Sequence, residues 1–319
     1  MKISIVIPNY NGEEILRKNL PKVFESLLSY KEGKVEVVVT DDASIDGSLA
    51  LLESLKSKIN SSYSNMGFKI IRNEKNLGFS SNVNKAVKNA SGEILVLLNT
   101  DVVPKQDFLI PLLSHFSDTN VFAVGCMDES MEKHEVILRG RGVGVWKRGF
   151  LVHSRGEVDK TNTLWVGGGS GAFRKSIWDR LGGFSELYNP FYWEDIDLSY
   201  RALKSGYKIV FEPKSVVIHE HEKGSIKSTY SDFEVKTIAY RNQFIFVWKN
   251  TTDLDLQLLH LLWLPYHLIK ALIKKDWSFL IGLIKAFILL PKIVKSSFNL
   301  QKLFIKKDKE ILEGFRNEN

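Results

Sequence analysis

An α/β fold is predicted, with a mainly parallel, helix-covered sheet followed by an amphipathic helical tail. Three observations predict it. Up to about residue 116, short β-branched runs alternate with amphipathic stretches. The runs are almost continuously apolar, as strands buried on both faces are. Beyond residue 230 the chain turns helical in pattern, and between Lys270 and Lys309 lysine mixes with Leu, Ile, Phe and Trp.

Residues 3–7 form the first expected strand and 13–29 the helix after it. The pairs 35–39 with 48–59, 68–71 with 80–90, and 94–98 with 105–116 repeat the unit. From 121 to 218 the pattern loosens: a glycine-rich turn at 167–171, a helix near 195–205, and edge-like runs at 208–211 and 216–218. The chain of 319 residues, 44% hydrophobic, can bury one large core and carry an appendage. Cys126, the single cysteine, excludes an intrachain disulfide and gives no ground for thiol chemistry. Met1 leads straight into the first strand, so no secretory signal is expected. The net charge of +7 and pI near 9.2 suit anionic lipid, phosphorylated substrate or nucleic acid alike. Nucleic acid has no recognition motif to support it and is not expected as a partner.

In parallel sheets ligands lie beyond the carboxyl ends of the strands. Here those ends are polar: Pro8-Asn9-Tyr10-Asn11-Gly12, Asp41-Asp42-Ala43-Ser44, and Asn99-Thr100-Asp101. Asp41 can accept a hydrogen bond from the N3–H of a uracil or thymine ring, although turn and cap chemistry alone would account for Asp46 and Gly47. Asn99 and Asp101 place oxygen ligands with one residue between them, suited to a hard cation on diphosphate oxygens. Glu194, Asp195 and Asp197 begin a helix beside Trp193, which can stack on a sugar and desolvate a carboxylate. Base catalysis falls to Asp195, and a dipole-favoured helix start accounts for Glu194 or Asp197. His219, with His221 two residues on, ends an extended run and would complete a metal site if Asp101 were near. Gly169, inside the 167–171 turn, can bring backbone N–H groups close to an acceptor or a diphosphate.

Taken in order, the segments at 7–12, 41–48 and 76–84, then Asn99-Thr100-Asp101, Gly169-Ser170-Gly171 and Trp193-Glu194-Asp195, resemble glycosyltransferase family 2 over about the first 250 residues. The resemblance implies a GT-A fold, a Rossmann-like mixed sheet covered by helices, and an inverting transfer from a nucleoside-diphosphate sugar (UDP- or dTDP-linked) to a saccharide or lipid-linked acceptor. It implies nucleotide-sugar contacts from Pro8, Tyr10, Asp41, Asn76, Gly78, Asn84, Asn99 and Thr100. It also implies Mn2+ or Mg2+ on Asp101 and His219, acceptor contacts from Gly169 and Trp193, and catalysis by Asp195 with Glu194. Asn99 departs from the family's frequent Asp-x-Asp and looks similar to a polysaccharide rhamnosyltransferase-like branch. Residues 1–225 are then the catalytic domain, 1–125 its nucleotide-sugar half and 126–225 its acceptor half, with 226–319 a helical, membrane-associating region.

Spanning is disfavoured, because the longest strongly apolar stretch, 277–290, carries Lys285 and stops at Pro291. Were 270–306 one continuous helix, Lys270, Lys274, Lys285, Lys292, Lys295, Lys302 and Lys306 would share an arc of roughly 100°. That is the pattern of a helix lying on anionic lipid, although packing on the catalytic domain would also use its apolar face. The expected location is cytoplasmic, peripheral at the inner face of the cell membrane. Competing readings are an inactive, membrane-attached nucleotide-binding scaffold and a nucleotidyltransferase. The latter usually has a glycine-rich phosphate loop with a basic residue after strand one, and 8–12 supplies neither that glycine run nor a basic residue. The absence of Gly-x-Gly-x-x-Gly after the same strand leaves a Rossmann dehydrogenase unsupported.

Overall fold

A computed structural model describes residues 1–62, 66–132, 135–220 and 229–316. The predicted βα units are present: β1 (Ile3–Asn9), α1 (Glu13–Leu27), β2 (Val35–Asp41), α2 (Ser48–Ser62), β3 (Met66–Arg72), α3 (Phe79–Asn89) and β4 (Ile94–Leu98). Every residue of β1, β2 and β4 is buried, which is why their sequences are apolar without alternation. β3 has a single strand partner, β2, and alternates accordingly.

Next come β5 (Val102–Pro104), the short α4 (Leu109–Ser114), β6 (Val121–Glu132), β7 (Glu135–Arg139), and a separate hairpin of β8 (Gly142–Lys147) and β9 (Phe150–Arg155). After it follow β10 (Ser170–Arg174), α5 (Lys175–Leu181), α6 (Glu194–Lys204) and β11 (Lys208–Glu220). The main sheet runs β3-β2-β1-β4-β10-β6-β11-β5, with β7 on β6. It is mixed: β1 to β4 are parallel, while β10 is antiparallel to both β4 and β6. The two predicted edge runs near 208 and 216 are one strand, β11, with an irregularity between Glu212 and Val216. The helix predicted over 105–116 shortens to α4, because 102–104 is taken as a strand by β11 and Asp107 adopts a positive φ of 61°.

Alternate residues of the strands feed two cores. Ile3, Ile5 and Ile7 pack with α1, α2 and α4, whereas Val6, Val38, Leu95 and Leu97 pack with α3, α5 and α6. A third core joins the β8–β9 hairpin and the outer side of α6 to the C-terminal helices. These are α7 (Asp232–Asn250), α8 (Leu254–Ile273), α9 (Trp277–Ile288), α10 (Leu290–Gln301) and α11 (Asp308–Glu313). Ser231 starts α7 with a reciprocal capping box to Glu234. The domain boundary drawn at 225, and His221, lie outside the described residues.

The continuous helix considered for 270–306 does not form. Lys275 takes a positive φ of 52°, Asp276 caps α9 by accepting from the Phe279 N–H, and α9 and α10 are bent by 65° at a break ahead of Pro291. The lysines therefore do not share a single helical arc. A span candidate also lies where none was expected: α8 is 20 residues long with a mean hydropathy of 1.3, and 17% of that window is buried. Its signal is diluted in sequence by Asp255, His260, Pro265, His267 and Lys270.

Candidate active site

At the end of β2 the two adjacent aspartates diverge. Asp41 is buried and accepts from the Asn9 side-chain amide (2.9 Å), the Ser44 N–H (3.0 Å) and the Ser44 hydroxyl (2.6 Å). A carboxylate has about four lone-pair sites, so one remains for a ring N–H. Asp42 turns the other way. It accepts from Asn73 (2.6 Å) and from the N–H groups of Leu77 and Gly78 (2.9 Å each), and so fixes the turn at 76–78. Both aspartates hold turns, Asp41 the one at Ser44 and Asp42 the one at 76–78, and only Asp41 also meets the end of β1 through Asn9.

Gly78 needs its missing Cβ twice over: its φ is +84°, and a Cβ would stand 2.9 Å from the Asn189 side chain. Asn76, exposed, accepts the Gly78 N–H through its side chain (3.1 Å). Asn84 is committed elsewhere, donating to the Phe184 carbonyl (2.8 Å) and accepting the Phe184 N–H (3.0 Å), which ties α3 to the loop before α6. Pro8 is buried within β1 and Tyr10 half-buried just beyond it.

On the far side of β1, Asp101 meets His219, the pairing that the family resemblance implied. Its Oδ2 lies 3.3 Å from His219 Nε2, while His219 Nδ1 lies 2.9 Å from Asp128 Oδ2. Burial alone would lower the imidazole pKa, yet the two carboxylates raise it to about 9. The two carboxyl groups thus favour the protonated imidazole. Once a proton is displaced, an Nδ1–H donating to Asp128 turns the Nε2 lone pair toward Asp101, the orientation a shared cation would use.

A divalent cation fits this donor set. The Asn99 side-chain oxygen is buried without a partner, and an oxygen, a carboxylate and an imidazole are ligands for Mn2+ or Mg2+. Among the described residues no three His, Cys, Asp or Glu side chains converge as a cage, so diphosphate and water would supply the remaining ligands. The backbone carbonyl of Thr100 is occupied by Asn19 (3.0 Å).

The third group sits at the head of α6. Tyr192 and Trp193 both have positive φ, 71° and 76°, an arrangement that non-glycine residues rarely adopt and that clusters at functional sites. Trp193 is buried against Phe246 and His153, with ring centroids 5.3 and 4.9 Å away. Asp195 is half-buried and accepts from the Ile196 N–H (2.8 Å) and the Gly168 N–H (3.3 Å). Burial raises its pKa, which favours a base working near neutrality. Glu194 is fully inside, one carboxyl oxygen lacks a partner, and burial together with the charge of Asp195 pushes its pKa well up.

One short turn joins these parts. Gly168 donates to Asp195, and Gly169 accepts the Asn99 N–H at 2.9 Å. A Cβ on Gly169 would stand 2.5 Å from the Asn99 amide nitrogen, so the turn lies flat on the cation-side residues. Asp42 and Asp128 were missed as site residues. Asp128 carried the same signal as the others, a polar residue at the carboxyl end of an apolar run, 121–127.

The geometry agrees with the comparisons. The family model described as "Glycosyl transferase family 2" matches residues 4–181. The O-antigen chain rhamnosyltransferase RfbN of Salmonella typhimurium is 25% identical over 225 residues, 69% of this chain and 67% of that protein. The dolichol-phosphate mannosyltransferase of Pyrococcus furiosus is 31% identical over 39% of this chain, a stretch that spans only a third (33%) of that enzyme. Among solved structures, GalNAc-T7 with UDP, GalNAc and Mn2+ superposes with a TM-score of 0.61 at 19% identity, covering 78% of this chain and 48% of that one. S. aureus TarS 1-349 with UDP-GlcNAc does so with 0.58 at 17%, covering 99% and 92%. The fold is that of GT-A glycosyltransferases, and with its family motifs matched over more than half its length the chain belongs to glycosyl transferase family 2.

Proposed function

We propose that this glycosyltransferase transfers a sugar, with inversion, from a UDP- or dTDP-sugar to a saccharide or lipid-linked acceptor in surface polysaccharide synthesis. The observation that carries the reading is the 167–170 turn, which fastens the base Asp195 to the Asn99–Asp101 segment. Reaction needs an acceptor base and a diphosphate-side charge sink at fixed separation, and one rigid turn sets that separation.

Pro8 and Asp41 hold the nucleobase, Asp41 by its remaining lone pair, while the turn at 76–78, held by Asp42, closes the nucleotide side with Asn76 and Gly78. Tyr10, Thr100 and the α3 residue Asn84 shape the same half. Asp101, His219 and Asn99 would hold Mn2+ or Mg2+, which when bound offsets the charge developing on the departing diphosphate. The acceptor lies beside Gly169, with Trp193 packed behind the site against Phe246 and His153 rather than open to stacking. Its hydroxyl proton passes to Asp195 as its oxygen bonds to the anomeric carbon, and the bond from that carbon to the diphosphate oxygen breaks. Glu194, its pKa pushed well up by burial and by the charge of Asp195, leaves Asp195 as the group that takes the proton. The rhamnosyltransferase named above, and WbaN of Salmonella anatum at 24% identity, support a polysaccharide pathway.

The expected location at the inner face of the membrane remains part of this reading, and α8 supports its peripheral attachment. Its inner side is anchored, His260 to the Gly149 carbonyl (2.7 Å) and His267 to the Arg148 carbonyl (2.8 Å). Its outer side exposes Leu258, Leu261, Leu262, Ile269 and Ile273. A helix held along one side and apolar on the other suits an interface better than a crossing.

Calorimetric titration of UDP, dTDP, GDP and NAD, with and without Mn2+, tests the assignment. Metal-dependent binding of UDP or dTDP is expected; binding of no nucleoside diphosphate under any metal condition would return the scaffold reading.

A further inference from the structure

A cavity of about 300 Å³ lies between the tip of the β8–β9 hairpin and the α8–α9 corner, away from the proposed catalytic groups. Its floor is apolar, from Phe150 and Phe279, and four cations border it: Lys147, Arg148, Lys270 and Lys274. The one carboxylate in its lining, Asp276, is bound by Lys236 (3.0 Å) and the Tyr240 hydroxyl (3.1 Å). The cationic excess is therefore local and does not simply reflect the chain's net charge.

The turn that carries Arg148 is firmly placed. Arg148 and Gly149 both have positive φ (51° and 79°) between the paired residues Lys147 and Phe150, the geometry of a two-residue type I′ hairpin turn. The two histidines of α8 grip that turn. Arg148 is held over the Tyr266 and Trp263 rings at 5.4 and 5.8 Å. On the same helices Leu262, Ile269, Ile273 and Trp277 are 75%, 57%, 77% and 56% exposed. One held arginine and three exposed lysines at a concavity, set among exposed aliphatic side chains and an exposed tryptophan, match a phosphate that carries hydrocarbon chains.

We propose that this cavity takes the phosphate headgroup of an anionic phospholipid, with its acyl chains against the exposed faces of α8 and α9. The proposal rests on the membrane reading above and makes it specific: the bilayer is recognised at one place, not by the lysine-rich tail at large.

Vesicle co-sedimentation of the full chain tests it, with phosphatidylcholine alone and with added phosphatidylglycerol. The pocket variant K147Q/K270Q/K274Q is compared with K292Q/K295Q/K302Q, which removes the same charge from exposed positions on and just past α10. The expected result is that the pocket variant loses at least about tenfold more affinity for phosphatidylglycerol vesicles than the second, while both keep nucleotide binding. K147R/K270R/K274R should retain vesicle binding, which guards against a glutamine variant that merely misfolds. Equal losses would overturn the pocket and leave the membrane reading standing. Failure of the unaltered protein to bind anionic vesicles would remove both, without touching the transferase assignment. Inorganic phosphate binding that depends on the pocket lysines, without a vesicle difference, would overturn the phospholipid in favour of free phosphate. Binding to neutral vesicles only when they carry an isoprenyl diphosphate would overturn it in favour of a lipid-linked substrate.

Discussion

The two sides of α6 use the same residue type for opposite ends. Facing the cleft, Asp195 has only two backbone N–H donors, one of them at 3.3 Å, and burial leaves its pKa raised. Facing α7, Asp197 is completely buried and fully partnered: Arg201 at 2.7 Å, Lys249 at 2.6 Å, the Tyr188 hydroxyl at 2.9 Å and Asn250 at 2.8 Å. There burial is outweighed by Arg201 and Lys249, and the pKa falls to about 2. Burial drives the Lys249 ammonium down to about 7 even beside Asp197. Arg201 is thus the stronger of the two partners that hold the Asp197 pKa down. Two residues apart, one carboxylate is kept poor in partners and available, while the other fastens the C-terminal helices to the catalytic sheet.

That contrast breaks most visibly at Asp197. Asp197→Ala leaves Arg201 and Lys249 buried without a carboxylate, and denaturant unfolding should show a loss of about 3–5 kcal/mol; a loss under 1 kcal/mol would mean the network is not what joins α7 to α6. Asp195→Asn should do the reverse. Turnover falls at least roughly a hundredfold, about 2.7 kcal/mol, with unfolding and nucleotide affinity nearly unchanged. Near-normal turnover would remove Asp195 from the reaction.

Acid gives a third handle. With a folded pKa near 2 against about 3.9 unfolded, Asp197 contributes roughly 2–3 kcal/mol that is present above pH 4 and lost as pH falls through 2. Asp197→Asn should flatten that limb of the stability curve, whereas Asp195→Asn should leave it. At the cation side, Asp128→Asn should weaken Mn2+ binding about 10–100-fold, because only an oriented imidazole presents Nε2 to the ion. Titration of the metal in the presence of UDP measures it, and unchanged affinity would make Asp128 a bystander. The smallest effect is expected at Gly169→Ala, whose Cβ would push on Asn99; a loss of about 1–3 kcal/mol in stability, read by thermal unfolding, is the outcome of such overpacking.

Much of this was legible in the chain, and the legible parts share a cause. β1, β2 and β4 announce themselves because strands buried on both faces must be apolar throughout, and the residues just after them had to be polar for the fold to hold a ligand. Hence Asp41, Asn99 and Asp101 stood out, and His219 could be guessed beside Asp101 before β5 and β11 were seen to pair. The hairpin at 142–155 escaped because its pattern is neither strictly alternating nor continuous, and Asp128, although it ends an apolar run, sits inside a strand that continues to Glu132.

The sequence by itself determined the order of βα units, the family, and which residue types stand at the sheet's carboxyl edge, since periodicity and strand-end chemistry are local. Only the tertiary structure decided which of two adjacent aspartates meets Asn9 and which holds the 76–78 turn, which carboxylate of α6 is spent on stability, and that the lysine tail breaks into separate helices. Those outcomes depend on the dielectric and the partners a side chain meets after folding, and long-range contacts set both.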